Sequence, residues 1–255
     1  MGCFAPRLKS QLFAQLLPTM KSLTDAVVSD ASSETMASVI YKRLRSDIVK
    51  GVLPPGEKLR IELLTERYGV GASPTREALN RLSSESFVHR KDQRGFQVAP
   101  VSIADLTELT RTRCLLNEVT LREAIAHGDE AWEEQIVLTT HRLTRTENLL
   151  ADGGVNPEWE ERHRAFHSAL IVSCGSRWLI DLYEKLFDCA DRYRNLCLRS
   201  IERRDVGGEH QMIANAVIAR DISNSVQLLN RHVSEILDRV SELASNGDTL
   251  PRELS

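Results

Sequence analysis

The N-terminal part of this chain takes its fold from residues 73–82, which read SPTREALNRL. Serine followed by proline is typical of the first turn of a helix, because the hydroxyl can cap a free amide and proline needs no amide partner. Ala78, Leu79 and Leu82 then recur at helical spacing, which predicts that they face inward. The segment is therefore predicted to be a helix that opens at Ser73.

Two helices are predicted before this segment and a hairpin after it. The first helix has apolar residues at steps of three and four and a glycine as its stop: Met36, Val39, Ile40, Leu44, Ile48 and Gly51. Pro54-Pro55-Gly56 predicts a turn, and a short second helix follows and closes at Gly69. Residues 87–90 and 95–98 predict two strands around the polar turn 91–94. This order is that of a winged helix-turn-helix. Its recognition helix, which is the second helix of that motif and here the one that opens at Ser73, enters the major groove of DNA.

The rest of the chain shows only helical periodicity. Six helices are predicted there, over residues 103–127, 130–150, 157–174, 177–204, 209–219 and 222–245. Ser102, Asn156 and Asp221 each stand where the first turn of a helix needs an acceptor. Long helices with short connections predict an antiparallel bundle. The fold class is therefore mainly α, with an N-terminal winged helix-turn-helix that carries a small β-hairpin wing and a C-terminal all-α antiparallel helical bundle.

These patterns divide the chain into four parts. Residues 35–100 are predicted to form the winged helix-turn-helix, and residues 101–245 the helical domain. Residues 1–34 show no sustained period and are predicted to be a flexible N-terminal extension, in which Met20 is a second candidate start. Residues 246–255 are predicted to be a C-terminal tail.

Charge is divided unevenly between the two main parts. Residues 35–100 hold 12 Lys and Arg against 7 Asp and Glu, whereas residues 101–255 hold 18 against 26, within a net charge of −3 for the whole chain. A basic front part on an acidic body indicates contact with a polyanion. Chance asymmetry between two solvated surfaces is the alternative.

We find no signal peptide or membrane span in the sequence. The apolar stretch 12–17 is too short for the core of a signal peptide and far too short to cross a bilayer. The five cysteines are scattered and odd in number, which favours free thiols in a reducing compartment. We therefore expect a cytoplasmic protein without a membrane partner.

Four blocks of sequence resemble the GntR family of bacterial transcription regulators. They are, in the order and at the spacing of that family, residues 41–51 (YKRLRSDIVKG), 53–59 (LPPGEKL), 73–82 (SPTREALNRL) and 94–98 (RGFQV). The resemblance implies that six residues face double-stranded DNA: Arg45, Ser73, Thr75, Arg76, Arg94 and Gly95. Guanidinium groups suit phosphates and the paired acceptors of guanine, and hydroxyls suit phosphates. The alternative for Arg76 is an ion pair with Glu66 or Glu77.

Two positions depart from the pattern of that family. Ala72 stands where many members have arginine, so one contact with DNA is missing. Ser86 stands where members usually have glycine at the exit of the helix. A serine forced to positive φ is predicted to strain that turn.

Four histidines are the candidate metal ligands of the helical part. His163 and His167 lie four residues apart on one predicted helix and project from one face, as a metal site requires. His210 and His232 follow on two later helices. Their spacing resembles the ligand-binding domain called FCD, found in the FadR-like branch of GntR regulators. In that domain an acid, three residues before a Phe-His pair, joins three histidines around a divalent metal.

In this chain His163 occupies the position of that acid, three residues before the pair Phe166-His167. Four neutral imidazoles leave the charge of the ion uncompensated. This favours zinc or nickel over manganese or magnesium, and it favours an anionic effector. The alternative is that one or more of these histidines is a hydrogen-bonded core residue.

An arginine on the first long helix is the main candidate for binding that effector. Arg113 lies one turn before Asn117, where members of the family commonly have glutamate, and a buried arginine beside a metal would hold a carboxylate by both oxygens. Arg192 and Arg194, on the fourth helix of the predicted bundle, are further candidates on either an inward or a solvated face. Residues 177–198 resemble the carbon-starvation-type subgroup, which implies that the small carboxylate effector is a dicarboxylate.

Together these observations predict a DNA-binding transcription regulator that acts as a repressor and is not an enzyme. Paired sensor domains of a homodimer would place two recognition helices about 34–36 Å apart on a palindromic operator. One alternative is a metal-dependent enzyme with Glu209 as a base beside His210. Four histidine ligands leave little room for substrate, the sequence has no HExxH motif, and the DNA-binding motif would be unexplained. The other alternative is a structural nucleoid protein that binds DNA regardless of sequence and effector.

Overall fold

The computed structural model describes residues 34–91, 95–151, 154–197 and 206–246, which form nine helices and three strands. In chain order these are α1 (Met36–Val49), β1 (Lys58–Leu59), α2 (Ile61–Tyr68), α3 (Ala72–Ser84), β2 (Val88–Lys91), β3 (Gly95–Val98), α4 (Ile103–His127), α5 (Glu130–Thr144), α6 (Pro157–Ile171), α7 (Arg177–Cys197), α8 (Val206–Ile218) and α9 (Ile222–Asn246). The predicted fold class is confirmed. The predicted N-terminal extension and C-terminal tail lie outside the described residues, apart from Glu34 and Asn246.

Helices α1 to α3 and the sheet enclose a small core of their own. Its centre is built from fully buried apolar side chains: Ile40, Leu44, Ile48, Leu53, Leu79, Leu82 and Val98. The sheet is antiparallel in the order β1–β3–β2, with Val88 opposite Val98 and Lys58 opposite Gln97. The two strands of the predicted hairpin are therefore present. Strand β1 is an addition to the prediction, because two residues are too few to show an alternating pattern.

Helix α3 begins one residue before its predicted start. It opens at Ala72, after Gly71, and no side chain caps its first turn. The prediction that the Ser73 hydroxyl caps this helix is therefore wrong. Pro74 still lies in the first turn, where the missing amide of proline leaves no donor unpaired.

Ser86 connects α3 to β2 with a backbone φ of 69°, in the left-handed region. The positive φ that the sequence predicts at this position is thus present. A residue with a side chain costs about 1–2 kcal/mol in this region, whereas glycine adopts it freely. The Ser86 side chain is exposed, so glycine would remove no packing.

Replacing Ser86 by glycine is expected to raise the free energy of unfolding by about 0.5–1 kcal/mol, because the relief of strain exceeds the added entropy of the unfolded chain. Urea denaturation followed by circular dichroism measures this change. Ser84, the last residue of α3, is the matched control, since glycine inside a helix is expected to lower the free energy of unfolding. A loss of stability in the Ser86 variant would contradict the strain.

Helices α4 to α9 form the bundle and share a larger core. Helix α4 packs against α7 and α9, and α5 packs against α6 and α8. The core is centred on large, fully buried side chains: Leu121, Ile136, Leu143, Phe166, Leu170 and Ile171. As predicted, Ser102, Asn156 and Asp221 each accept a hydrogen bond from an amide in the turn that follows them. None of the described helices combines the length and the hydrophobicity that a bilayer crossing needs.

Helix α7 joins the bundle to the winged helix. It packs against α4 on one side and against α1 on another. The Asn195 side chain donates a hydrogen bond to the carbonyl of Val49, at the end of α1, over 3.3 Å. Arg192 donates to the carbonyl of Ala99, in the connection between the two parts. The winged helix is therefore held against one helix of the bundle.

Candidate functional site

The start of helix α3 presents two polar side chains to solvent. Ser73 and Arg76 are both exposed. No hydrogen bond or ion pair joins the Arg76 guanidinium to a residue of the described ranges, so the alternative of an ion pair with Glu66 or Glu77 is not found there. Arg76 is therefore free to approach a ligand from outside the protein.

Thr75 does not face solvent. Its side chain is fully buried, and its hydroxyl donates to the carbonyl of Gly71 over 2.9 Å. The prediction that Thr75 faces DNA is therefore wrong. The physical reason is that neighbouring positions on a helix point about 100° apart, so exposure of Arg76 turns Thr75 toward the core.

A groove of about 210 Å³ runs between α3 and the sheet, and its lining is Arg76, Asn80, Arg90, Lys91, Gly95 and Phe96. Three of these residues are cations and none is a carboxylate. Gly95 is exposed and has a φ of 80°, so its backbone can approach a partner closely. Asn80 was not predicted, although its place one turn after Arg76 on the same face was the signal for it. Such a lining can contact both phosphates and base edges.

Arg45 is turned toward the bundle. Its guanidinium forms an ion pair with Asp188 of α7 and lies 5.5 Å from the ring centroid of Phe87. The prediction that Arg45 faces DNA is therefore wrong in this arrangement, because a carboxylate from a distant helix neutralises it. Arg94 lies outside the described residues, so its contact with DNA stays a prediction.

Three helices bring the four predicted histidines together. Helix α6 carries His163 and His167, α8 carries His210, and α9 carries His232. One ring nitrogen from each histidine lies within 4.8 Å of the others. The first three are buried, and Trp159 stacks on the His163 ring with 4.5 Å between centroids. The cluster is able to hold a metal ion.

The hydrogen bonds of His163 indicate which of its two ring nitrogens carries the proton. The Arg194 guanidinium lies 3.0 Å from Nδ1 of His163, and because it can only donate, Nδ1 must accept. The neutral imidazole then carries its proton on Nε2, which lies 3.1 Å from Nε2 of His167. In this arrangement His163 therefore donates and His167 accepts.

His232 is oriented by a carboxylate. Its Nδ1 lies 3.0 Å from Oε2 of Glu209, which holds the proton on Nδ1 and leaves Nε2 for a metal. In the sequence analysis Glu209 is named only as the base of the alternative enzyme, and its contact with His232 is not predicted. Its place directly before His210 in the sequence is the signal that could have shown that it borders the cluster.

Burial keeps the imidazoles of His163 and His167 in the neutral form that binds metals. Desolvation holds the pKa of His163 and of His167 well below the ordinary value of 6.5, and the neighbouring histidines lower both further. Nδ1 of His167 is buried and has no hydrogen-bond partner among the residues that the structure describes. A buried nitrogen without a partner is costly in a plain core. The donor set therefore fits a divalent ion.

Arg113 of α4 is a buried guanidinium in the same region. It is 8% exposed and lies 5.7 Å from the ring centroid of Phe187. Within the described part of the chain, no hydrogen bond or ion pair reaches it. Burial lowers the pKa of Arg113, and its positive charge contributes to the low pKa of His167. The charge of Asp191 favours the protonated form of Arg113, but none of the described carboxylates forms an ion pair with it. A buried cation without such a partner is costly, so this position favours an anion.

Two further polar groups in this region have unused hydrogen-bonding capacity. Asn117 donates to the side chain of Asn230 over 3.0 Å, while its Oδ1 finds no partner among the described residues. The Tyr183 hydroxyl is likewise buried and unpartnered there, and desolvation raises its pKa to about 12. Tyr183 was not predicted, because an aromatic residue on a bundle helix is usually part of the core.

Arg192 and Arg194 point to opposite sides of α7. Arg194 contacts the cluster through His163 and forms an ion pair with Asp191 over 2.7 Å. Arg192 instead contacts the carbonyl of Ala99 between the two parts of the chain. The prediction that Arg192 binds the effector is therefore wrong, because residues two apart on a helix do not share a face.

Two parts of the chain match known families. Residues 36–98 match the family described as bacterial regulatory proteins, gntR family, and residues 108–235 match the FCD domain. The chain is 38% identical over 198 residues to the HTH-type transcriptional repressor GlaR of Escherichia coli (strain K12), covering 76% of this chain and 90% of GlaR. It is 34% identical to BphR of Paraburkholderia xenovorans (strain LB400), described as an uncharacterized HTH-type transcriptional regulator, over 87% of this chain and 92% of BphR.

The solved structure of Escherichia coli McbR/YncC has the same fold. Its TM-score is 0.65 at 20% sequence identity, over 84% of this chain and 99% of that chain. The matched families and relatives are DNA-binding transcription regulators and not enzymes, as the sequence predicts. This chain therefore belongs to the GntR family of bacterial transcription regulators, in the FadR-like branch that carries an FCD domain.

Proposed function

We propose that this protein is a transcription repressor that binds a palindromic operator as a homodimer and responds to a small carboxylate, with dicarboxylates as the favoured class. Residues 35–100 bind DNA, and residues 101–245 bind the effector and form the dimer. A bacterial repressor works where the chromosome is, so we place it in the cytoplasm.

The buried Arg113 guanidinium is the observation that carries the effector proposal. It lies against Phe187, and none of the described carboxylates forms an ion pair with it. A carboxylate can form two parallel hydrogen bonds with such a guanidinium. The Tyr183 hydroxyl supplies a further donor from α7. An anion bound here would give both groups the partner that they lack within the described residues.

The four histidines would hold a divalent metal beside this position. Neutral nitrogen ligands without a carboxylate favour zinc or nickel. When bound, such an ion supplies a positive charge that attracts an anionic effector. Glu209 would keep His232 in the tautomer whose Nε2 carries no proton, and Trp159 would hold the ring of His163.

Helix α3 would read the operator. Arg76 and Ser73 at its start, with Gly95 and Arg94 at the wing, would contact phosphates and base edges. In a homodimer the two copies of α3 need a separation of about 34–36 Å to reach adjacent major grooves. An effector that binds two dimer arrangements with different affinity changes DNA binding without any chemistry.

A thermal-shift screen of small organic acids tests the effector proposal. At a concentration about 100 times Kd, a bound acid stabilises the protein by about 2.7 kcal/mol, or roughly 5–10 °C in a chain of this size. We expect dicarboxylates to give this shift and a chelator to reduce it. Failure of every acid in the presence of zinc would contradict the effector class.

A nucleoid protein would instead bind unrelated DNA sequences equally, with or without acid.

The double substitution His167→Ala with His210→Ala is expected to abolish zinc uptake, because it removes two of the four nitrogen donors, both buried. Elemental analysis after dialysis against micromolar zinc measures the metal content. His141→Ala is the matched control, since His141 is exposed on α5 and lies outside the cluster. Wild-type protein without a transition metal after this treatment, or a double variant that retains it, would contradict the site.

A further inference from the structure

A continuous series of charged contacts connects the histidine cluster to the winged helix. It starts at the neutral imidazole of His163 and from there alternates between arginines and aspartates. We call it the charge chain: His163, Arg194, Asp191, Arg164, Asp188 and Arg45. It begins on α6 in the bundle and ends on α1. The spacing of these residues in the sequence gives no sign of it.

The inner half of the charge chain lies beside the cluster. Arg194 donates to Nδ1 of His163 over 3.0 Å and pairs with Oδ1 of Asp191 over 2.7 Å. Arg164 binds the other oxygen of Asp191, also over 3.0 Å. The side chains of Arg194 and Asp191 are only 11% and 10% exposed, so solvent screens their charges less than those of a surface pair.

The outer half reaches the DNA-binding part. Arg164 also pairs with Asp188, three residues before Asp191 on the same face of α7. Asp188 in turn pairs with Arg45 of α1. The Asp188 carboxylate is therefore shared between one cation of the bundle and one cation of the winged helix.

Metal binding by His163 and the contact between His163 and Arg194 exclude each other. Coordination through Nε2 requires the proton to move to Nδ1, which then cannot accept from a guanidinium. Coordination through Nδ1 takes the place of Arg194 directly. In both cases Arg194 loses an acceptor and stands beside a new positive charge, so it must turn to the carboxylates around it.

We propose that occupancy of the histidine site acts through the charge chain to release Arg45 from Asp188. This inference rests on the proposed function and adds the direction in which metal occupancy changes the affinity for DNA. When Arg194 takes a larger share of Asp191, Arg164 keeps only Glu184, which it contacts over 3.0 Å, and Asp188 among these carboxylates. Its charge is then divided less, so it holds the Asp188 carboxylate more strongly. Arg45 then becomes free to contact phosphate, and the winged helix loses the ion pair that ties it to α7. The arrangement with Arg45 paired is the one that binds DNA more weakly.

Two substitutions along the charge chain have opposite expected effects. Asp188→Asn removes the partner of Arg45, so the variant is expected to bind operator tightly with or without zinc. Arg164→Gln interrupts the connection, so Asp188 stays with Arg45 and binding is expected to stay weak in both conditions. Asp181→Asn is the matched control, because Asp181 is exposed on the same helix and its substitution changes the net charge by the same amount.

The measurement is the Kd for a selected operator by fluorescence anisotropy, with each full-length protein either treated with EDTA or loaded with zinc alone. For the wild type and Asp181→Asn, we expect zinc to tighten binding at least about fivefold, in the usual range of allosteric coupling. For Asp188→Asn we expect the Kd with zinc and the Kd after EDTA treatment to differ by less than about twofold. Both are expected to lie near the Kd of the zinc-loaded wild type. Structural damage would weaken DNA binding, so tight binding by this variant is not explained by misfolding.

Two results would overturn the proposal. One is a wild type whose Kd does not change with zinc, and the other is an Asp188→Asn variant with the same zinc dependence as the wild type. The proposed function fails separately, if the wild type enriches no operator or takes up no zinc. Zinc content of the Asp188→Asn protein is measured as well and is expected to equal that of the wild type, because Asp188 is not in the histidine cluster.

Discussion

Arg76→Ala is expected to weaken binding of the protein to its operator by about 1–3 kcal/mol for each recognition helix, which is roughly a five- to 150-fold loss per half-site. Arg76 is exposed at the start of α3 and lines the basic groove, so the substitution removes a donor that faces the DNA. It touches no part of the core, so the melting temperature and zinc content are expected to stay unchanged. Fluorescence anisotropy with a labelled operator measures the loss.

The matched control for this variant is Arg145→Ala. Arg145 is exposed at the end of α5 in the bundle, and its loss changes the net charge by the same amount. A general electrostatic effect would weaken both variants equally, whereas a contact with bases weakens only the Arg76 variant. Equal affinities of the wild type and the Arg76 variant would remove Arg76 from the interface.

Arg113→Met is expected to abolish the stabilisation of roughly 5–10 °C that a saturating carboxylate gives the wild type. The same substitution is expected to raise the melting temperature of the free protein, because it removes a buried cation without an ion pair among the described residues. The two effects have opposite signs, which a merely damaged fold cannot reproduce. Thermal shift with and without the acid measures both.

Arg111→Met provides the comparison for this experiment. Arg111 lies on α4 as well, but it is exposed and two residues away from Arg113, so it points to another side of the helix. This variant is expected to keep the full response to the acid. If Arg113→Met also kept the full response, the guanidinium would not be the group that binds the effector.

The elements of the fold could be predicted where local chemistry determines them. Ser102 and Asn156 cap their helices as predicted, because a short polar side chain at that position satisfies a free amide in any context. The left-handed conformation of Ser86 followed in the same way from the position of the turn. These signals depend only on residues a few positions apart in the chain.

The end of α5 could not be predicted, because a distant residue determines it. The periodicity continues to residue 150, yet the helix ends at Thr144. The Arg162 guanidinium of α6 binds the carbonyl of Arg142 over 3.0 Å. The Thr146 amide binds the carbonyl of Leu143 instead, over 3.0 Å, which closes the helix with a tighter turn. The pattern of α5 alone contains no sign of this contact.

The candidate site likewise has residues that local sequence indicates and contacts that only the packing of distant helices determines. His163 and His167 could be found from spacing, since residues four apart share a helix face, whereas His210, His232 and Arg113 are implied by the resemblance to the FCD domain. The pairing of Arg45 with Asp188 could not be found, because it depends on how α1 lies on α7. Spacing also could not determine which of Arg192 and Arg194 faces the cluster, since that depends on the rotation of α7 in the bundle.

Helix α3 is proposed to read base pairs, and selection of bound duplexes from a random DNA library is the decisive experiment. With the purified full-length protein, we predict enrichment of an inverted repeat whose two half-sites lie about one helical turn apart. The Arg76→Ala protein is predicted to lose that enrichment. Retention of library DNA without any enriched sequence would contradict the claim, because the protein would then bind the phosphate backbone alone.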